Sequence, residues 1–474
     1  MTDPLARLRE MQAADLPVHG GRTLAYVYDS GLADVDRIGR EAVAAYAGSN
    51  GLDPTAFPSL LQMENDLVGF AAGLLDAPDT VVGTVTSGGT ESCLLAVQGA
   101  RDSRPEVQRP RMVVPSTVHA AFLKAAHYFG VEAVVVPVGA DFRADPAAML
   151  AAVDEDPERT VLVVVSAPSY AHGVVDPVAE IAPAAAARGI RCHVDACIGG
   201  WVLPYAARLG REVPPWTFAV EGVTSISADL HKYAYAPKGT SLLLHRTQEH
   251  RRPQYFAHAD WPGYTMLNST MQSTKSGGPL AGAWAVVQSL GDTGYELLSR
   301  EVFEAVDAIV AGITDTPELR VVVRPDSTLV ALVTDDTCDP FTVCDEMAAR
   351  GWYVQPQMSY ADQPATIHLS VSAATLAGVG DFLAALRDSV AAAVAAGPVT
   401  VDPQVAAFIE ALDPAALTDD DFDGLLVAAG LVGGDDLALP DRMAEVNAML
   451  DLASPRMREA LLVAFLDRLQ RPTR

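Results

Sequence analysis

Lysine is rare in this chain: four residues, against twenty-nine arginines among the 33 basic side chains. Two of the four lie in one segment, Ser225-Ile226-Ser227-Ala228-Asp229-Leu230-His231-Lys232-Tyr233-Ala234-Tyr235-Ala236-Pro237-Lys238-Gly239. Arginine can carry surface charge, but guanidinium stays protonated and cannot become a nucleophile. Lysine is kept where an amine with a movable pKa is wanted. Lys232, between His231 and a Ser/Tyr-rich run, is therefore the first candidate for chemistry. A lysine left on a solvated face is the competing reading, and it is the better one for Lys124 on its amphipathic stretch.

Three other pieces accompany Lys232. Thr86-Ser87-Gly88-Gly89-Thr90-Glu91-Ser92 follows an apolar run (Val81 to Val85) and opens a helical stretch through Cys93-Leu94-Leu95. Glycines let a backbone approach an anion closely, and free N–H groups with the dipole of a helix start favour phosphate. The turn has neither the Gly-Lys-Ser/Thr ending of a nucleotide loop nor a dinucleotide spacing. His193-Val194-Asp195-Ala196-Cys197 closes a second apolar run, and alternation puts His193, Asp195 and Cys197 on one face. These are metal-ligand types, but no second ligand pair stands at a recognisable spacing, so no metal is expected. A lone carboxylate at a buried strand end instead suits a protonated heterocyclic nitrogen. His119, in Pro115-Ser116-Thr117-Val118-His119, lies between a strand end and a helix start, where binding residues gather.

A phosphate cradle, a carboxylate and a lysine on one sheet describe binding of pyridoxal 5′-phosphate. Lys232 would hold the aldehyde as a Schiff base, and Asp195 would keep the ring nitrogen protonated so that the ring accepts electrons.

These residues need a sheet to bring them together. Short β-branched runs alternate with alanine-rich stretches from about 80 to 245: Arg111–Val114, Ala133–Val136, Val161–Val165, Ile190–Val194 and Ser241–Leu244. Continuous apolar strands between helices predict an α/β fold with a mostly parallel sheet covered on both faces. Ligands on such sheets collect at strand ends. A helical segment is expected over residues 1–75, a large cofactor-binding domain over 76–299 and a small α+β domain over 300–397. A long helix is predicted from Leu280. Gly397-Pro398 opens an extension, 398–474, with fourteen acidic residues and six arginines, read as a helical appendage without chemistry.

The net charge of −27 disfavours nucleic acid and anionic membranes as partners. No apolar run approaches the ~20 residues of a membrane span. The N-terminus lacks a signal-peptide pattern, and five cysteines (Cys93, Cys192, Cys197, Cys338, Cys344) form no regular framework, which predicts a reducing, cytoplasmic location.

The chain resembles the sphingosine-1-phosphate lyase family, within the group II pyridoxal-dependent decarboxylase superfamily of fold type I. The resemblance rests on Gly83–Ser92, on His193-Val194-Asp195-Ala196-Cys197-Ile198-Gly199-Gly200, and on Gly222–Tyr233 continuing through Ala236-Pro237-Lys238-Gly239. Weaker echoes are Asp53–Pro58, His119–Phe122, His172-Gly173-Val174-Val175-Asp176-Pro177 and Gln254-Tyr255-Phe256; together they span about residues 20 to 395. It implies Lys232 as the Schiff-base lysine, Asp195 as partner of the ring nitrogen, and His119 stacked on the ring. It also implies Gly88, Gly89, Thr90 and His231 at the cofactor phosphate, with Lys238 and Tyr28 toward the substrate. A homodimer with shared active sites is implied, in which the loop Ser273-Thr274-Lys275-Ser276-Gly277-Gly278 reaches the partner. Here Lys275 replaces an arginine, and Asp53 in Asn50-Gly51-Leu52-Asp53-Pro54 replaces a histidine associated with substrate phosphate. Asp53 would repel a phosphate if it faced the pocket; capping a turn in solvent is the alternative.

The small-molecule amino substrate is thus expected to be a phosphorylated sphingoid base, cleaved between Cα and Cβ to phosphoethanolamine and a long-chain aldehyde. Retro-aldol cleavage needs a base for the β-hydroxyl, with His119, His172 and Tyr28 as candidates. Amino-acid α-decarboxylation is the alternative, in which Lys238 or Lys275 binds a carboxylate.

Overall fold

The computed structural model describes residues 3–428, 432–433, 436–437 and 441–470. Seven strands build the central sheet: β1 (Val82–Thr86), β2 (Arg111–Pro115), β3 (Glu132–Val136), β4 (Thr160–Ser166), β5 (Arg191–Asp195), β6 (Val223–Asp229) and β7 (Ser241–His245). Their spatial order is β1-β7-β6-β5-β4-β2-β3. The expected strands are all present, and those with continuous apolar runs are the most deeply covered. β2, β4 and β7 are buried at every position, whereas edge strand β3 is half-exposed. Helices Gly89–Asp102 and Ala120–Phe129 cover one face through Leu94, Val97, Phe122 and Ala125. Helices Pro146–Glu155 and Val178–Ala186 join the main core through Met149, Val153, Ile181 and Ala185.

The strands from β2 to β6 pair in parallel, but β7 is antiparallel to both β6 and β1. The physical reason is local. The segment from Leu230 to Thr240 is a tight return without a crossover helix, and a short connection between paired strands must reverse direction. Because two reversals cancel, β1 points the same way as β6 and β5. The carboxyl ends of these strands therefore lie along one edge. Register then aligns specific residues: Ser166, Asp195 and Ser227 stand opposite one another across β4, β5 and β6. Asp229, Ser241 and Thr86 do the same across β6, β7 and β1.

Helices Pro4–Gln12, Ala33–Ala45 and Pro58–Leu74 occupy the N-terminal region. The long helix starts at Gly277, slightly before the expected Leu280, and is interrupted at Gly291, where φ is 55°. Beyond it, strands Leu319–Val321, Leu329–Thr334, Gln355–Gln357 and Thr366–Ser370 form an antiparallel four-stranded sheet, flanked by helices Pro340–Ala349 and Val379–Ala396. Arg143 clasps Asp326 at 2.7 and 3.2 Å, and Tyr233 Oη donates to the Val371 carbonyl at 2.7 Å, tying this sheet to the larger one.

Four helices, Pro403–Ala411, Asp419–Ala428, Ala444–Leu452 and Pro455–Leu469, follow. They share their own apolar cluster around Ile409, Phe422, Leu425, Met457 and Leu461. Asp345 accepts from the backbone N–H groups of Met443 and Ala444 at 2.9 and 2.8 Å, fixing this extension to the body. Among the described residues, no helix is long and apolar enough to cross a membrane.

Two glycines separate backbone strain from crowding. Gly222, just before β6, has φ 87°, and a Cβ there would meet the Ala182 carbonyl oxygen at 2.2 Å. Gly210 has φ 81° with nothing near its missing Cβ. Gly210→Ala should cost about 1–2 kcal/mol, the left-handed backbone cost alone. Gly222→Ala should cost about 2–5 kcal/mol, because overpacking adds to it. Urea unfolding of both variants measures the gap, and equal losses would contradict the steric argument.

Candidate active site

The aligned strand ends enclose a cavity of about 200 Å³ lined by Gly89, Thr90, Cys93, His119, Tyr170, Asp195, Cys197, Asp229, His231 and Lys232 among others. At its floor, the Lys232 ammonium lies 3.0 Å from Asp229 Oδ2, and that carboxylate is almost wholly buried. Burial opposes the charge on Lys232, but Asp229, backed by Tyr28, Cys197 and Asp195, outweighs it and holds the amine well above the usual lysine value. Burial likewise opposes Asp229, yet Lys232 and His231 keep it ionised below the usual carboxylate value. Neither charge would persist in this position without the other.

The turn after β1 forms the wall opposite. Gly89 begins a helix whose first-turn N–H groups have no intrahelical acceptors, which suits an anion. A Cβ on Gly89 would lie 2.7 and 2.8 Å from the Asp229 carboxylate oxygens and 3.0 Å from Cys197 Sγ. The turn is braced from behind. Glu91 accepts from Ser87 N at 2.6 Å and from Met271 N at 2.8 Å. Ser92 Oγ bonds Thr86 Oγ1 at 2.7 Å and Ser241 Oγ at 2.9 Å. His231 Nδ1 donates to the Thr240 carbonyl at 2.8 Å, so its ring is fixed beside Gly88 and Asp229.

Asp195 ends β5. Its Oδ1 accepts from Cys197 N at 3.1 Å and from Ser227 Oγ at 3.4 Å. Ser227 is itself 3.2 Å from His193 Nε2, whose Nδ1 lies 2.8 Å from Ser225 Oγ. Burial pushes His193 down to about 4, so a neutral imidazole anchors this row.

His119 caps the helix Ala120–Phe129: its Nδ1 accepts from Ala121 N at 3.2 Å. That bond leaves the neutral ring with its proton on Nε2, a donor directed away from the helix start. Tyr170 stands edge-on to His119, with centroids 6.2 Å apart, and is stacked on His368 at 4.4 Å. His119 and Tyr170 also border a second cavity of about 870 Å³, so the two spaces adjoin.

The other candidates are placed around this centre. Tyr28 packs edge-on against Tyr233, and Lys238 Nζ lies 5.1 Å over the Tyr28 ring while donating to the Tyr26 carbonyl at 2.8 Å. Lys238 is exposed, and partial desolvation, followed by Lys232, lowers it to about 8. His172 lines the larger cavity instead of the smaller one and stacks on Phe142 at 4.0 Å; burial lowers it to about 4. Asp53 is exposed and caps a turn, accepting from Thr55 N and Thr55 Oγ1 at 2.8 and 2.6 Å. Lys275 reaches Glu64 at 3.5 Å and bonds through its backbone to Asn50 and Gly51, so its loop and the Asp53 turn form one unit.

The model for the "Pyridoxal-dependent decarboxylase conserved domain" matches residues 26–334. The chain belongs to the pyridoxal-dependent decarboxylase family. A second model, for a "Pyridoxal-dependent enzyme, C-terminal putative HTH domain", matches residues 403–468. The chain is 38% identical over 369 residues to a sphingosine-1-phosphate lyase of Arabidopsis thaliana, covering 76% of this chain and 66% of that protein. It thus spans slightly less than two thirds of that relative. A solved sphingosine-1-phosphate lyase from Burkholderia pseudomallei K96243 is similar at 33% identity and TM-score 0.77, over 83% of this chain and 91% of that one. A glutamate decarboxylase of Lactobacillus brevis, 19% identical with TM-score 0.72 over 82% and 92% of the two chains, shares the fold.

As in its family, the cofactor is pyridoxal 5′-phosphate, and the cavity fits it. An amine stands at the floor, a carboxylate at a strand end, and helix-start N–H groups beside a position where no Cβ fits. Asp229 Oδ1, beside the Gly89 position, is buried without a hydrogen-bond partner. Asp229, Tyr170 and Cys93 were not singled out for chemistry from sequence. Asp229 precedes Lys232 by one turn, a signal that was present but unused; Tyr170 and Cys93 carry no local mark.

Gly89→Ala should weaken cofactor binding by about 5- to 150-fold, the cost of forcing a methyl against a carboxylate and a thiol. Gly99→Ala, in the same helix with no atom closer than 3.9 Å to its Cβ, should leave binding unchanged. Absorbance titration of the stripped proteins with cofactor decides it; equal affinities would refute the close approach.

Proposed function

We propose that the protein is a pyridoxal-phosphate-dependent carbon–carbon lyase that cleaves phosphorylated long-chain amino alcohols, giving phosphoethanolamine and a long-chain aldehyde. The observation that carries this reading is the pair of adjoining cavities. The smaller suits the cofactor, and the larger is walled by Val118, Val135, Val138, Phe142, Val322 and Met358, which suit an aliphatic chain. Likeness to two sphingosine-1-phosphate lyases supports it. α-Decarboxylation of an amino acid is the alternative, since Lys238 would bind a carboxylate as readily as a phosphate.

Bound pyridoxal phosphate supplies an electron sink for a bond broken at the amine-bearing carbon. Lys232 would hold the aldehyde, Asp195 the ring nitrogen, and Gly88, Gly89, Thr90 and His231 the phosphate. Asp229 governs the proton that Lys232 must lose before its nitrogen can act. His119 would cover the ring, with its Nε2 left to meet a substrate oxygen. On this reading His119 acts as a donor instead of the base considered for the β-hydroxyl. His172 would act only from the chain-binding side. Tyr28, seated under Lys238, orients that cation toward an anionic group, and Tyr170 closes the passage between the cavities.

We further infer a homodimer in which the joined Asn50–Asp53 and Lys275 segments face the partner's site, and domain limits at about 75, 299 and 397. Five buried free cysteines support a reducing, cytoplasmic setting.

Incubation with dihydrosphingosine 1-phosphate, followed by mass spectrometry, should yield phosphoethanolamine and hexadecanal, and Lys232→Ala should abolish both. Carbon dioxide and amines from mixed L-amino acids, without aldehyde, would install the decarboxylase reading. A pH profile tests Lys238. Its lowered pKa of about 8 means that it is charged below that pH and neutral above. kcat/KM for a phosphorylated substrate should therefore fall as pH rises through about 8, and Lys238→Arg should flatten that limb because guanidinium keeps its charge.

A further inference from the structure

Cys93 and Cys197 line the cofactor cavity beside Asp195. They come from different elements: Cys93 from the helix after the phosphate turn, Cys197 from just past β5. All three residues are buried, and one ligand atom from each lies within 4.8 Å of the others. A tetrahedral zinc-type ion, with bonds of ~2.3 Å to sulfur and ~2.1 Å to oxygen, needs ligand atoms roughly 3.6–3.8 Å apart. A contraction of at most about 1 Å would therefore complete three corners. The fourth corner opens to the cavity, where water can enter.

The surroundings favour a cation. Asp195 and Asp229 both line the cavity, and the Lys232 ammonium pairs with Asp229. The contact with Cys93, then burial, then the two carboxylates raise the Cys197 thiol well above its ordinary value. For Cys93 the contact with Cys197 acts downward, but burial and the same carboxylates prevail. Both thiols are thus held protonated, and an incoming ion would displace their protons. A supporting shell is in place. Ser227 Oγ accepts from Cys197 Sγ at 3.3 Å and donates to Asp195 Oδ1 at 3.4 Å, and His193 Nε2 lies 3.2 Å behind it.

We propose that, in the cofactor-free protein, Cys93, Asp195 and Cys197 bind a soft divalent cation of the zinc and cadmium class, and that this ion and the cofactor exclude one another. The exclusion rests on the assignment of Asp195 to the ring nitrogen: one carboxylate cannot serve both. Two thiols go to thiolates, two protons leave to solvent, and no electron is transferred. The consequence is control of cofactor loading, since only ion-free protein can accept pyridoxal phosphate.

The test titrates cofactor-free protein with cadmium chloride. A thiolate-to-cadmium ultraviolet band should saturate at one ion per chain, with two protons released per ion in weakly buffered solution. Cys93→Ser and Cys197→Ser, which keep side-chain size, should each remove the band while the thermal melt stays unchanged. Cys338→Ser should keep it. Absence of a band in the wild-type chain, or its survival in Cys93→Ser/Cys197→Ser, would overturn the site. Free cadmium at ten times its Kd should slow cofactor loading about tenfold, because only the ion-free fraction loads. An undiminished band in fully loaded protein would overturn the exclusion. A protein that fails to load without cadmium would instead overturn the cofactor assignment, with the thiol result read separately.

Discussion

A half-buried ammonium, Lys232 Nζ, rests 3.0 Å from a buried carboxylate, Asp229 Oδ2, and the surrounding structure is arranged to tolerate that pair. Isolated, either charge would cost several kcal/mol in so enclosed a place. Together they require a close, fixed geometry. Asp229 is held by the last ladder position of β6 opposite Ser241, while Lys232 follows in the tight return to β7. The return reverses the chain, makes β7 antiparallel, and so restores β1 to the direction of β6. That brings the phosphate turn to the same edge. The absence of a side chain on Gly89 then lets the turn settle directly over the carboxylate.

The site is built in layers behind this pair. Ser227, His193 and Ser225 steady Asp195 from inside the sheet; Glu91 and Ser92 steady the phosphate turn from its own helix. These polar groups are buried, and hydrogen bonding to one another offsets the cost of removing them from water. The neutral His193 fits this role, since a charged imidazole so deep would need a carboxylate of its own. His119 and Tyr170 stand at the other limit, where the small cavity meets the large one. Aromatic rings there can cover a cofactor while leaving a path for an apolar chain.

Legibility in sequence followed the range of the interactions. β2, β4 and β5 were recognisable because fully buried parallel strands must be continuously apolar. Lys232 stands out in sequence because lysine is rare here, and Asp195 and the Gly88-Gly89-Thr90 turn because of their settings at the ends of apolar runs. The direction of β7 was not legible, since Ser241-Leu242-Leu243-Leu244 is equally apolar in either orientation. His172 lies two positions from Tyr170, yet only the tyrosine borders the smaller cavity. Two residues of separation were enough to turn them to different spaces. Asp53 and Lys275 look like separate departures in sequence, and hydrogen bonds of Lys275 with Asn50 and Gly51 make their segments neighbours.

The sequence by itself determined the alternation of strand and helix, the lysine, the carboxylate and the phosphate turn, because each depends on residues close together along the chain. Tertiary structure alone decided that Cys93 meets Cys197 and that Asp229 lies under Gly89. Those outcomes depend on strand register and helix docking, in which residues far apart in sequence are brought within a few ångströms. No local pattern records such distances, because the hydrophobic burial that sets them is shared by the whole sheet.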